Sequence, residues 1–129
     1  MGVTALVALA AGVITLAGAR TEETATAVAP AAGADLFRAK GCVGCHDGPD
    51  GAGSATSAGP DLRLLPLVAE RRVAGLDGAA YVRQSIQEPQ AFVVPGYEPG
   101  EHPLMPALPV SAAEIDVLVH WLLPQPPRA

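Results

Sequence analysis

The segment GCVGCH, residues 41–46, contains the side chains best suited to chemistry. Its two thiols lie three positions apart, and an imidazole follows the second thiol directly. Each thiol at this spacing can add to one vinyl group of a haem, while the adjacent imidazole binds the iron. The segment therefore predicts a c-type haem attachment site, with Cys42 and Cys45 as the covalent links and His46 as an iron ligand.

Paired cysteines also serve two other kinds of site. A thioredoxin-like redox pair is expected in a βαβ setting, and no convincing period-2 strand pattern is visible in this sequence. A zinc site would need further ligands from His102 and His120, because the chain has only two cysteines and a structural zinc ion usually takes four ligands. The match of all five residues of CVGCH, residues 42–46, to the haem attachment signal favours the haem over both alternatives.

The second axial ligand of such a haem must come from downstream of His46. Met105 is the one methionine after the initiator, and it lies in the proline-rich stretch YEPGEHPLMPALP. A lone methionine often fills a hydrophobic core, but a loop position between prolines can direct the thioether inward. We expect Met105 to be the ligand, with His102 or an open position as the alternatives. His120 is expected to face solvent or to cap a carbonyl.

Composition limits what else the chain can do. It has 129 residues, a formal charge of −5, and only 2 Phe, 2 Tyr and 1 Trp. The acidic balance argues against a nucleic-acid partner. A domain this small with so few large side chains has only marginal folding stability without a cofactor or partner. A covalent haem would supply the missing hydrophobic core.

The N-terminal segment is of membrane type. Residues 1–19 carry no charge, and at about 1.5 Å per residue they would extend roughly 28 Å, close to the ~30 Å hydrocarbon thickness. We expect a transmembrane anchor or a cleaved export signal, and either would place the remainder outside the cytoplasm. Residues 20–32 are predicted to be a flexible tether, residues 33–123 the haem domain and residues 124–129 a proline-rich tail.

Three helices are predicted and no convincing strand, and this combination favours an all-α fold. The first covers Ala34–Lys40, and the second covers Gly78–Gln87 with Asp77 as its N-cap. The third follows Ser111, because Ser111 and Glu114 fit a capping box. Long Gly/Pro-rich stretches separate these helices, and loops of such length usually surround something.

Taken together, these motifs resemble a class I monohaem cytochrome c. Cys42, Cys45 and His46 match the attachment triplet of that family. The segment GPDL at residues 59–62 is similar to its Gly-Pro-x-Leu segment, which implies that the Pro60 carbonyl accepts a hydrogen bond from the imidazole of the iron-ligating histidine. Two further pairs, Gly33 with Phe37 and Leu118 with Trp121, resemble the contacts at which the first and last helices of the family cross.

The resemblance implies a class I cytochrome c fold, in which three main short helices and long loops surround one covalent haem c. Together with the N-terminal segment it implies a membrane helix and one-electron transfer with His46 and Met105 as axial ligands. Such a chain would carry electrons within an oxidoreductase complex and would not be an enzyme by itself. Arg71 or Arg72 could pair with a haem propionate, and Tyr97 could pack on the haem.

The stretch YVRQSIQEPQAFVVPGY, residues 81–97, looks most like the cytochromes of membrane-bound respiratory and photosynthetic complexes, of the alternative complex III or haem-copper oxidase type. This resemblance implies the bacterial cytoplasmic membrane, with the haem domain on its periplasmic side. The expected partners are other subunits of the complex and a redox protein with a neutral or basic docking face. A ligand-sensing haem with a displaceable sixth ligand is the alternative function, and a peroxidase is disfavoured because no second attachment motif is present.

Overall fold

The structure, a computed structural model, describes residues 30–53 and 58–124. These two ranges contain helices and loops and no β-strand, which confirms the predicted all-α class. The four α-helices are α1 (Pro30–Ala39), α2 (Leu65–Val68), α3 (Gly78–Gln87) and α4 (Ala112–Leu122). Single 3₁₀ turns cover Cys42–Gly44, Leu62–Leu64 and Ala69–Arg71.

Helix α1 begins earlier than the sequence pattern predicts. The sequence pattern predicts a start at Ala34, whereas the helix starts at Pro30. It therefore includes residues 30–32 of the expected tether. Proline is favoured at the first position of a helix because the amide hydrogen that it lacks would have no intrahelical partner there. Pro30, which lies within the expected tether, therefore begins the helix.

The predicted boundaries of the other two long helices are confirmed. Helix α3 starts after Asp77, whose carboxylate accepts a hydrogen bond of 2.7 Å from the amide of Ala80. Helix α4 starts after Ser111, whose hydroxyl accepts from the amide of Glu114, while the Glu114 carboxylate accepts from the amide of Ser111 at 2.8 Å. Each cap satisfies amides that the first helical turn leaves without partners.

The helical run from Leu62 to Arg71 was not predicted from the sequence. Asp61 caps it by accepting from the amide of Arg63 at 2.9 Å, and Leu65 and Ala69 form its buried side. Pro66 conceals the pattern, because proline is compatible with the first turn of a helix and signals a break elsewhere. This run contributes one wall of the cleft described below.

Helices α1 and α4 cross at the centre of the fold. A Cβ atom placed on Gly33 would lie 2.2 Å from the Cβ of Trp121, so only glycine allows this approach. The rings of Phe37 and Trp121 pack with their centroids 5.2 Å apart. Gly33, Phe37 and Trp121 therefore meet at this crossing, as the resemblance implies, and Leu118 is buried in the core. The buried core consists of Phe37, Leu65, Ala69, Tyr81, Val82, Ile86, Ile115, Leu118, Val119 and Leu122.

Among the residues that the structure describes, no helix has the length and apolar character needed to cross a bilayer. The predicted anchor or signal at residues 1–19 lies outside the described residues. The same is true of residues 20–29 of the expected tether and residues 125–129 of the expected tail.

An ion pair joins the end of α1 to the start of α4. The Lys40 ammonium lies 2.9 Å from the Glu114 carboxylate. Hydrogen bonds from Lys40 and from the Ser111 amide lower the pKa of Glu114 from 4.5 to about 2. Because this pKa is depressed in the folded state, the interaction stabilises the fold above pH 4.5 and is lost as the pH falls toward 2.

We expect Glu114→Gln to lower the free energy of unfolding most at neutral pH. The difference from the native protein should shrink as the pH falls from 4.5 to 2, because protonation removes the same charge from the native glutamate. Urea unfolding at a series of pH values measures this difference. Glu101→Gln is the control, since the Glu101 carboxylate has no ion pair in the described ranges. A Glu114→Gln deficit that does not change with pH would contradict the prediction.

Candidate haem site

The attachment motif forms a tight turn directly after α1. Gly41 adopts φ 78°, a left-handed conformation that allows the chain to leave the helix. A single 3₁₀ turn follows, in which the amides of Cys45 and His46 both donate to the carbonyl of Cys42, at 3.1 and 3.0 Å. The two cysteines are thus separated by one turn, as the spacing predicts, and both half-buried side chains line the same cleft.

The His46 ring is oriented by the carbonyl of Pro60. His46 Nδ1 lies 2.8 Å from the Pro60 oxygen. Because a carbonyl oxygen can only accept, Nδ1 carries the proton and Nε2 keeps its lone pair. Burial lowers the pKa of His46, although the Pro60 bond and Asp47 act in the opposite direction. The result is a neutral imidazole with one nitrogen available to a metal, as the resemblance implies for Pro60.

Gly59 allows the Pro60 segment to lie directly against the imidazole. A Cβ atom on Gly59 would be 2.5 Å from His46 Cε1, closer than any side chain can approach. The Gly59 amide also donates to the Cys45 carbonyl at 2.8 Å. The segment is therefore bonded both to the ring of His46 and to the backbone of the motif, which restricts ring rotation. The sequence predicts the contact of Pro60 with the ring, whereas the role of Gly59 became visible only in the structure.

The cleft in front of the motif has apolar walls drawn from the run that contains α2, from α3, from α4 and from the loop after α3. This lining suits a flat, largely apolar macrocycle. The apolar side chains that line it include Leu62, Leu65, Val82, Ile86, Phe92, Val94, Leu108, Val110, Leu118 and Leu122. The wall formed by Leu62 and Leu65 was not predicted, although their spacing of three positions, continued by Ala69, fits a helix.

Met105 lines this cleft together with Cys42, Cys45 and His46, whereas the two rival histidines do not. His102 stacks instead on Tyr97, with ring centroids 4.7 Å apart. His120 is exposed on α4, as expected. Tyr97 is half-buried and does line the cleft. The structure thus brings Met105 and Tyr97 to the site and leaves His102 outside it.

The two candidate arginines occupy different surroundings. Arg72 lines the cleft, and its buried Nε has no hydrogen-bond partner among the described residues. A buried donor without a partner is costly and indicates an acceptor that binds there. Arg71 is exposed, donates to the Leu67 carbonyl at 2.9 Å and does not line the cleft. Arg72 therefore fits an anionic substituent of a ligand in the cleft, and Arg71 does not.

The other interpretations of the cysteine pair find no support in the described ranges. No group of three or more His, Cys, Asp or Glu side chains in these ranges could hold a metal ion, so the zinc ligands are not assembled. No strand flanks the motif there, as a thioredoxin-like pair would require. Burial also raises the pKa of the Cys42 thiol, which disfavours the thiolate that either chemistry needs.

These features together define an all-α protein with a c-type haem site. The sequence model of the Cytochrome c family matches residues 30–125, and the chain belongs to this family. No curated protein and no solved structure matches the chain. Family membership implies a covalent haem c and haem-based electron transfer, the role of a carrier rather than of an enzyme by itself.

We expect Arg72→Gln to lower the reduction potential and Arg71→Gln to change it much less. A cation close to the cofactor disfavours the more positive oxidised state, and solvent screens this effect for an exposed side chain. Potentiometric titration of the two haem-loaded variants measures the difference. Equal shifts in the two variants would show that Arg72 has no special proximity to the cofactor.

Proposed function

We propose that this chain carries single electrons through a haem c attached to Cys42 and Cys45, with His46 and Met105 as axial ligands. It does so as a membrane-tethered periplasmic subunit of a quinol-oxidising or terminal oxidase complex. The observation that carries the electron-transfer proposal is the arrangement of the cleft. A neutral imidazole with a free Nε2 and the one methionine of the described residues share a single apolar cleft.

The protein's own residues account for the demands of one-electron transfer. A bound haem c supplies the redox couple, and methionine ligation raises its potential. The Pro60 carbonyl holds the His46 ring in one orientation, so this ligand need not move when the charge changes. The apolar lining would limit the access of water to the haem, and the buried Nε of Arg72 offers a donor to a propionate. With His46 and Met105 both bound to the iron, a haem in this cleft would offer no vacant site to oxygen or to a substrate.

Surface charge supports a partner with a neutral or basic docking face. The chain carries a formal charge of −5. Most cations in the described ranges are already neutralised by carboxylates, through Arg38–Asp50, Lys40–Glu114, Arg63–Asp61 and Arg83–Asp116. The free surface is therefore predominantly acidic, and complementary charge on a partner would accelerate their encounter.

The membrane part of the proposal is supported by the sequence of residues 1–19, which are uncharged and long enough to span a bilayer. An anchor followed by a short connecting segment would hold the haem domain near membrane-bound electron donors. Confinement of this kind raises the effective concentration of the domain and replaces diffusion as the way to find a partner.

Replacement of Met105 by alanine tests the ligand assignment. We expect Met105→Ala to abolish the sulfur-to-iron absorption band and to lower the potential, because no other thioether lies in the described residues. His102→Ala is the matched control and should keep the band. A band that survives in Met105→Ala would place the ligand elsewhere. Rapid and complete binding of carbon monoxide by the reduced native protein would favour a sensing haem over a carrier.

Membrane fractionation tests the tether and the assembly. We expect the full-length protein to stay with the membrane pellet after extraction with alkaline carbonate, because an apolar helix resists a treatment that removes peripheral proteins. Purification in mild detergent should also recover further subunits with it. Release into the soluble fraction would contradict the anchor, and recovery of the chain alone would contradict a stable complex.

A further inference from the structure

The loop that carries Met105 has few bonds to the rest of the protein. It runs between the end of α3 and the start of α4, and its backbone hydrogen bonds join residues close in sequence. The amide of Tyr97 donates to the carbonyl of Val94, for example, and the amide of Val110 donates to the carbonyl of Leu108. None of them involves Met105. An axial ligand in such a loop would be held mainly by its own bond to iron, unless a side chain fixes the backbone around it.

Gln90 provides that bond from the edge of the loop. Its Nε2 donates to the backbone carbonyl of Met105 at 2.6 Å, across 15 positions of sequence. This is the single hydrogen bond that Met105 makes in the described part of the chain. The donor belongs to a chain segment that is itself held in place. Ile86 on one side is buried, and Phe92 on the other packs edge-on against Tyr81 with centroids 5.9 Å apart.

A second carbonyl of the same loop is held in a similar way. Lys40 Nζ donates to the carbonyl of Pro109 at 2.8 Å. Lys40 lies two positions before Cys42, so this bond ties the end of the loop to the attachment motif. Side chains thus hold two carbonyls of the loop, that of Met105 through Gln90 and that of Pro109 through Lys40, and only the Gln90 contact is on Met105 itself.

We propose that Gln90 is a positioning residue, which keeps the Met105 backbone where its thioether can reach the iron and thereby limits dissociation of this ligand. The inference rests on the proposed assignment of Met105 as the sixth ligand. Gln90 is exposed, so water can replace its amide at the Met105 carbonyl when the side chain is changed. Loss of the bond should therefore loosen the loop without unfolding the protein.

The test uses full-length haem-loaded protein and two pairs of variants. Gln90→Leu removes the donor without adding charge, and Gln90→Glu keeps the size of the side chain but can only accept. Gln87→Leu and Gln87→Glu are matched controls, because Gln87 is exposed at the end of α3 and its side chain makes no hydrogen bond within the described residues. Imidazole binding to the ferric protein is measured with the sulfur-to-iron absorption band.

Exogenous imidazole binds only when Met105 has left the iron, so its apparent affinity reports the fraction of molecules with the ligand displaced. Both Gln90 variants should bind imidazole about fivefold more tightly than their Gln87 counterparts, the effect of one exposed hydrogen bond. Equal affinities at the two positions would overturn the proposal while leaving Met105 as the ligand. A band that persists in Met105→Ala would instead overturn the ligand assignment, in a protein that retains Gln90.

Discussion

The contact between the His46 ring and the Gly59–Pro60 segment is the constraint on which the site depends. The Pro60 carbonyl fixes the tautomer, and Gly59 permits an approach that no other residue allows. The Gly59 amide donates a hydrogen bond to the Cys45 carbonyl, and the Leu62 amide donates one to the Asp47 carbonyl. Because of these bonds, the attachment motif and one wall of the cleft form a single unit, in which the half-buried imidazole of His46 is held in one tautomer and one orientation.

The remainder of the fold serves to carry that unit. Helices α1 and α4 cross closely enough that Gly33 cannot hold a side chain, and this crossing places the motif beside the core. The core has only a few large residues and borders the cleft, since Leu65, Val82, Ile86, Leu118 and Leu122 belong to both. In such a small domain, the cofactor site and the hydrophobic core are therefore one structure, which agrees with the shortage of aromatic residues.

The loop that carries Met105 is held differently from the segment around His46. Several short bonds and a close glycine contact fix the histidine side, whereas Met105 depends on a carbonyl contact from the exposed Gln90. A thioether is also a weak ligand with a flexible side chain. The two proposed ligands thus differ in how firmly the protein holds them, and the loop around Met105 has fewer contacts to restrain it than the segment around His46.

Local patterns in the sequence were sufficient for the attachment motif, the caps at Asp77 and Ser111, and the choice of an all-α fold, because each depends on residues within a few positions of one another. Only the tertiary structure separated Arg72 from Arg71, since the two are adjacent in sequence and only Arg72 reaches the cleft. The sequence already favoured Met105 over His102, and the tertiary structure places Met105 on the cleft lining and His102 against Tyr97. The tertiary structure also revealed the Gln90 contact with Met105 and the run around α2. The Gln90 contact joins positions 15 residues apart, which no local pattern reveals. The helical run around α2 contains Pro66, which in a sequence usually signals a break in a helix.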